Sequence, residues 1–154
     1  MLGLAGIGKS TVAKEAVHYM SVRKYFTGGV IFINLKNISS LKAFLQKFRK
    51  VLPKDKFPAK EDLADEGLID YFLDSLVTKD KFLICLDNTE NIQKNDEANF
   101  KFFLEKLLEA DNVSVILTTT KPLDQQNFTF IPAIVILAQL KPSEAVELFL
   151  QNSD

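Results

Sequence analysis

The run Gly3-Leu4-Ala5-Gly6-Ile7-Gly8-Lys9-Ser10-Thr11 has the spacing G-x-x-x-x-G-K-[ST]. Residues of these types at these intervals can hold a polyphosphate. The glycines let main-chain N–H groups turn inward and approach phosphate oxygens with no Cβ in the way. Lys9 reaches the terminal phosphates, and the Ser10 hydroxyl is placed to hold Mg²⁺. Gly3, Gly6, Ile7, Gly8, Lys9, Ser10 and Thr11 are therefore the candidate nucleotide-binding residues. The pattern fixes only four positions and arises by chance, so its meaning depends on what accompanies it.

Two further segments accompany it. Phe82-Leu83-Ile84-Cys85-Leu86-Asp87 is an apolar run ending in a carboxylate, which suits Asp87 as the Mg²⁺ partner of Ser10, directly or through water. Val113 to Thr119 is a second apolar run, whose polar end puts Thr118 and Thr119 among the candidate nucleotide contacts. Asn88 follows Asp87, and an amide cannot deprotonate water. Glu90 is thus the nearest candidate for a general base, and it reads equally well as an exposed turn residue. His18, the single histidine, has no partner at metal-ligand spacing and reads as a plain helix residue.

These residues need elements to position them. Ser10 to Met20 carries apolar residues at helical intervals, and its N-terminus would point at the bound phosphates. Val30 to Leu35 reads as a buried strand after Gly28 and Gly29. Ser40 caps a helix bearing Leu41, Phe44, Leu45, Phe48 and Leu52, stopped by Pro53. Residues 53–62 read as a surface loop. A helix is expected from Leu63 to Val77, a strand from Lys81 to Leu86, and a helix from Asp96 to Ala110. Strands at Val113–Thr119 and Ala133–Leu137 and a helix from Ser143 to Gln151 complete the order. Alternating strands and helices imply a parallel α/β sheet with right-handed crossovers. Ligands in such sheets bind at the carboxyl ends of the strands, where the loop, Asp87 and Thr118–Thr120 all fall.

At 154 residues, 47% hydrophobic and 25% charged, the chain suits one soluble domain with a substantial core. The net charge of −1 carries no sign of a nucleic-acid partner, so none is expected. The lysine-rich stretch Lys42 to Lys60 reads as a solvated helix end and loop. One cysteine, Cys85, excludes an intrachain disulfide and reads as a core residue. No segment has the length of a membrane span or the layout of a secretory signal, and a cytoplasmic setting is expected.

Taken together, the motifs resemble NB-ARC domains, a branch of the STAND class of P-loop NTPases. Gly3 to Ala13 is similar to that family's G-x-G-G-[IV]-G-K-[ST]-T-L-A signature, and Leu86-Asp87-Asn88-Thr89-Glu90 to its L-D-[DN]-x-E segment. Ile116-Leu117-Thr118-Thr119 matches its sensor strand, and Leu140 to Phe149 its L-x-x-x-E-A-x-x-L-F helix. The resemblance implies a three-layer P-loop NTPase-type parallel sheet flanked by helices, binding ATP or ADP with Mg²⁺ as a signalling switch. It also implies protein partners or self-association in a full-length parent.

Two departures bear on catalysis. Thr120 stands where the family's sensor strand ends in arginine, with Lys121 one place on, and lysine lacks the bidentate geometry. The chain has only Arg23 and Arg49, neither near an expected strand end. Arginine charge stabilisation is worth about 10³–10⁵ in phosphoryl-transfer rate, so hydrolysis is expected to be slow or absent. Only Met1 and Leu2 precede the loop, so most of the first strand is missing, and residues 1–154 read as a single domain truncated at both ends. A degenerate fragment acting through protein contacts is the alternative, with a small P-loop kinase a weaker one. A GTPase is disfavoured, because Thr120-Lys121-Pro122-Leu123-Asp124 misses the guanine-reading spacing by one residue.

Overall fold

A computed structural model describes residues 1–49, 65–76, 80–123 and 132–151. Six helices and three strands are described: α1 (Lys9–Val22), β1 (Gly29–Asn34), α2 (Leu41–Arg49), α3 (Asp65–Leu76), β2 (Phe82–Asp87), α4 (Glu90–Asn95), α5 (Glu97–Leu108), β3 (Val113–Leu117) and α6 (Pro142–Gln151). The strands pair in the order β1-β2-β3, all parallel. This is the expected P-loop NTPase-type α/β sheet.

Alternation along the strands sorts the side chains into two faces. Ile33, Ile84 and Leu86 enter the main core with Phe44, Phe48, Phe72, Phe100 and Phe103 from α2, α3 and α5. Two pairs of these rings meet edge-to-face, Phe48 and Phe72 with centroids 4.2 Å apart and Phe44 and Phe103 5.1 Å apart. Phe32, paired with Cys85, takes the opposite face, where Lys14 of α1 lies 5.9 Å over its ring. Helix α1 thus covers one face and α2, α3 and α5 the other, giving three layers.

Local chemistry explains the helix ends. The Ala43 N–H donates to Ser40 Oγ at 3.3 Å, as the expected cap requires. A longer-range clip adds to it: the Leu41 N–H donates to Asp96 Oδ2 at 2.7 Å, so the residue opening α5 also holds the start of α2. Leu52, Pro53 and the rest of the expected loop at 53–62 lie outside the described residues, as do Leu63 and Val77.

Two elements differ from expectation. Residues 90–95 form the short helix α4 ahead of α5, so Glu90 opens a helix and is not a turn residue. Ala133–Leu137 is not a strand but a single parallel bridge, Ile136 to Leu2. A strand needs a continuous partner, and here the partner is only Leu2, which bridges Thr119 on its other side. Met1 and Leu2 supply one step of a ladder between β3 and residues 135–137.

Candidate functional site

The phosphate loop leads directly into α1. Gly6 and Gly8 adopt φ of 77° and 97°, a region costly for any residue with a Cβ, and Gly8 is the helix N-cap. The N-terminal N–H groups of α1 thereby stay open toward an anion. Lys9, only 5% exposed, folds back and donates to the carbonyls of Gly3 at 2.8 Å and Leu4 at 2.9 Å. These carbonyls hold the buried ammonium where phosphate oxygens would otherwise do so.

Asp87 is the centre of the site. It ends β2, is fully buried, and accepts from four neutral donors: Ser10 Oγ at 2.8 Å and Thr118 Oγ1 at 2.6 Å on Oδ1, Asn88 Nδ2 at 2.9 Å and Asn34 Nδ2 at 3.1 Å on Oδ2. A buried carboxylate needs such saturation, because an unpaired one would be prohibitively costly. The three segments singled out in sequence therefore meet at one carboxylate, as the parallel topology demands.

Thr118 links two elements. Its hydroxyl donates to Asp87 and accepts from the Asn88 N–H at 2.9 Å, while its carbonyl accepts from Thr89 N at 3.1 Å and Thr89 Oγ1 at 3.0 Å. Asn88 has φ of 59°, a left-handed conformation that asparagine tolerates better than most residues. Thr119 is nearly buried, and its hydroxyl lies within hydrogen-bond distance of Gln93 Oε1 (3.2 Å) and Lys121 O (2.9 Å), away from the loop. Glu90 is half-buried at the first position of α4, and no described hydrogen bond ties it to Asp87 or Ser10. Arg23 stacks on Tyr19 at 3.5 Å past the far end of α1. His18 is exposed on the same helix.

Two residues of the cluster escaped sequence reasoning. Asn34 sits directly opposite Asp87 in the β1–β2 register, and Asn88 contributes its side-chain amide as well as its place beside Asp87. A polar residue closing an apolar strand at the ligand-binding edge was the available signal for Asn34.

The residues suit Mg²⁺. Ser10 Oγ and Asp87 Oδ1 are adjacent oxygens, and no group of three or more His, Cys, Asp or Glu side chains that could cage a metal occurs among the described residues. Mg²⁺ takes few protein ligands and fills its shell with phosphate oxygens and water, so a hydroxyl beside one carboxylate fits its habit. Next to the loop lies an open cavity of about 280 Å³ lined by Leu4, Ala5, Gly6, Ile7, Gln139 and Leu140.

With this geometry in view, a family profile described as an AAA domain matches residues 1–126. The chain belongs to the AAA domain family. No curated protein matches the sequence of this AAA domain. Its fold is shared with solved structures of the Aeropyrum pernix ORC1 protein in complex with DNA (TM-score 0.77, 14% identity, 99% of this chain and 42% of that one). The same holds for Drosophila ORC bound to DNA (0.75, 19%, 98% and 40%) and for Aeropyrum pernix ORC2 in ADPNP–ADP complexes (0.74, 18%, 97% and 44%). The AAA domain thus spans about two-fifths of the length of these proteins. P-loop NTPases of the AAA type bind ATP or ADP with Mg²⁺ as a family.

The expectation of no nucleic-acid partner, drawn from a net charge of −1, is corrected by these neighbours, two of which are bound to DNA. Net charge averages over a whole surface and cannot exclude a local basic face or a contact made elsewhere in an assembly. Among the described residues no helix is long and apolar enough to cross a membrane.

Proposed function

We propose that this AAA domain binds ADP and ATP with Mg²⁺ and acts as a nucleotide-dependent switch, hydrolysing ATP slowly or not at all. The observation that carries the reading is the convergence of Ser10 and Thr118 on Asp87 at the mouth of the phosphate loop. On nucleotide entry Lys9 exchanges the carbonyls of Gly3 and Leu4 for phosphate oxygens, keeping charge-assisted bonds throughout. Ser10 and Asp87 hold Mg²⁺, which when bound supplies charge neutralisation at the phosphates. The N–H groups of Gly6 to Thr11 orient the phosphate chain, and the cavity bounded by Gln139 and Leu140 takes the nucleoside end. Thr118 and Thr119 support this edge from the end of β3.

Slow chemistry follows from what surrounds Asp87. The Asn88 amide donates to the carboxylate and cannot accept a proton from water. Glu90 remains the candidate base, without a described hydrogen bond that would orient it. Arg23 is committed to Tyr19. An NB-ARC-like role fits these features: ADP holds one state, ATP permits assembly, and contacts with protein partners or further copies carry the output. In this reading residues 1–154 act as a single cytoplasmic domain. Calorimetric titration with ATP and ADP tests it. Lys9→Ala should abolish binding by either nucleotide, and equal affinity of variant and wild type would remove the proposal.

A second reading places the domain within a DNA-bound assembly, favoured by its shared fold with ORC proteins solved on DNA. Anisotropy of labelled duplex DNA, with and without ATP, tests it directly.

A further inference from the structure

Beyond the nucleotide site, the net charge of −1 conceals a sharp division along the chain. Residues 1–54 carry ten Lys or Arg and a single acid, Glu15, whereas residues 55–154 carry nine against nineteen. The basic part supplies the phosphate loop, α1, β1 and α2. Strand β1 is the outer strand of the described sheet, so this charge gathers at one side of the domain.

Three exposed lysines mark that side. Lys14 of α1 holds its ammonium 5.9 Å over the Phe32 ring of β1. Lys36 follows the strand, its N–H donating to Asn34 Oδ1 at 2.9 Å. Lys47 of α2 reaches back and donates from Nζ to Asn34 O. All three are thus anchored to the later half of β1, which gathers their charge into one rim. Nearby acids do not cancel it. Asp87 is buried among its four donors, and Glu15 lines a groove with Val12 and Tyr19 on a flank of α1 that Lys14 does not share. Among the described residues of β1, α2 and α4, no large apolar side chain is exposed.

We propose that the rim of Lys14, Lys36 and Lys47 grips the phosphate backbone of duplex DNA without reading its sequence, an inference that rests on the DNA-bound reading above. Lysine is a mobile point charge that suits phosphates, and the rim holds no arginine fork of the kind that reads guanine. A protein partner needs an apolar centre and a membrane an apolar wedge, and this side exposes neither.

Anisotropy of labelled duplex DNA tests it, with unlabelled duplexes of unrelated sequence competing equally. Each phosphate neutralised contributes about −0.9 to the slope of log affinity against log salt, so three contribute about −2.7. Wild-type binding should therefore weaken at least roughly fortyfold between about 50 and 200 mM salt. The triple variant Lys14→Gln, Lys36→Gln, Lys47→Gln should lose at least roughly tenfold in affinity at low salt, with a slope shallower by about 2.7. A second triple variant, Lys101→Gln, Lys106→Gln, Lys121→Gln, makes the same charge change on α5 and beyond β3, and should bind DNA as the wild type does. Both should keep the wild-type urea midpoint and ATP affinity. Equal DNA affinity of the two variants would overturn the rim and leave the DNA-bound reading standing, whereas no binding by the wild type would remove both. Loss of ATP affinity in the rim variant would assign the lysines to nucleotide steering. Equal competition by polyglutamate of matched charge would assign them to an acidic protein. Either result would overturn the proposal.

Discussion

Replacing Thr118 by valine tests whether the Asp87 cluster is as tightly built as its distances imply. Valine keeps the branched shape, so little cavity cost intrudes, and only the hydroxyl is lost. That hydroxyl donates to Asp87 Oδ1 at 2.6 Å and accepts the Asn88 N–H at 2.9 Å, at a residue with no exposed surface. A buried hydrogen bond to a charged group contributes about 1.5–3 kcal/mol, and a stranded buried N–H costs about 1–3 kcal/mol. The two effects share one atom and are not additive, and Ser10 still serves Oδ1, so a loss of about 2–4 kcal/mol is expected. Against a total stability of about 5–15 kcal/mol that is large, and it lowers Tm by roughly 5–15 °C for a domain of this size. Urea denaturation of wild type, Thr118→Val and Thr118→Ser measures it. The serine variant keeps the hydroxyl and should lose only about 1 kcal/mol, the cost of one methyl group. A valine variant within about 0.5 kcal/mol of wild type would show that the hydroxyl does not support the carboxylate.

Other outcomes follow from the same geometry. Ser10→Ala should leave a folded domain in which Mg²⁺ no longer improves ATP affinity, whereas Ser10→Thr keeps the effect. Titrations with and without Mg²⁺ separate them, and an unchanged Mg²⁺ effect in the alanine variant would exclude Ser10 as a ligand. Burial, and secondarily the Asp87 charge, push the Cys85 thiol from 9.0 up to about 12. The folded state thus keeps a proton that the unfolded chain releases, so this contribution is complete below about pH 9 and is lost as pH rises toward 12. Stability of the wild type should fall more steeply than that of Cys85→Ala over this window, and equal slopes would contradict the assignment. In native protein near neutral pH the thiol should resist a disulfide reagent and react only on unfolding.

Much of this was legible because periodicity and punctuation carry physical instructions. Phe44 and Phe48 stand at helical spacing behind Ser40, and they form the ring cluster on the sheet. Phe82 to Asp87 is an apolar run closed by a carboxylate, and it is the central described strand. What escaped depends on contacts between segments far apart in sequence. Asn34 is polar in an apolar run, yet only the strand register reveals that it faces Asp87. Asp96 reads as the start of one helix, and its carboxylate also serves the start of α2, 55 residues away. Helix α4 is one short stretch of polar residues, too brief for a pattern, and it exists because Ile92 packs into the core and Thr89 is held by Thr118. Ala133–Leu137 shows the converse error: its apolar, β-branched composition favours a strand, but composition cannot provide the neighbour that a ladder requires.

The placement of the neutral donors around Asp87 bears on how a bound nucleotide would be felt elsewhere. A cation held at Ser10 would use an Oγ lone pair and leave the O–H donating to Asp87, so the four bonds to the carboxylate would stay in place. The carboxylate therefore stays oriented while the loop side changes. Lys9 makes that change, and its present acceptors are the carbonyls of Gly3 and Leu4. Gly3 follows Leu2, the residue bridging Thr119 and Ile136. Thr119 in turn follows Thr118, the residue holding Asp87. The phosphate loop and the end of β3 are thus joined twice, through the Leu2–Thr119 bridge and through the bonds of Ser10 and Thr118 to Asp87. A change at the loop would therefore be felt at the end of β3, while β1 and β2 remain fixed by their full parallel ladder.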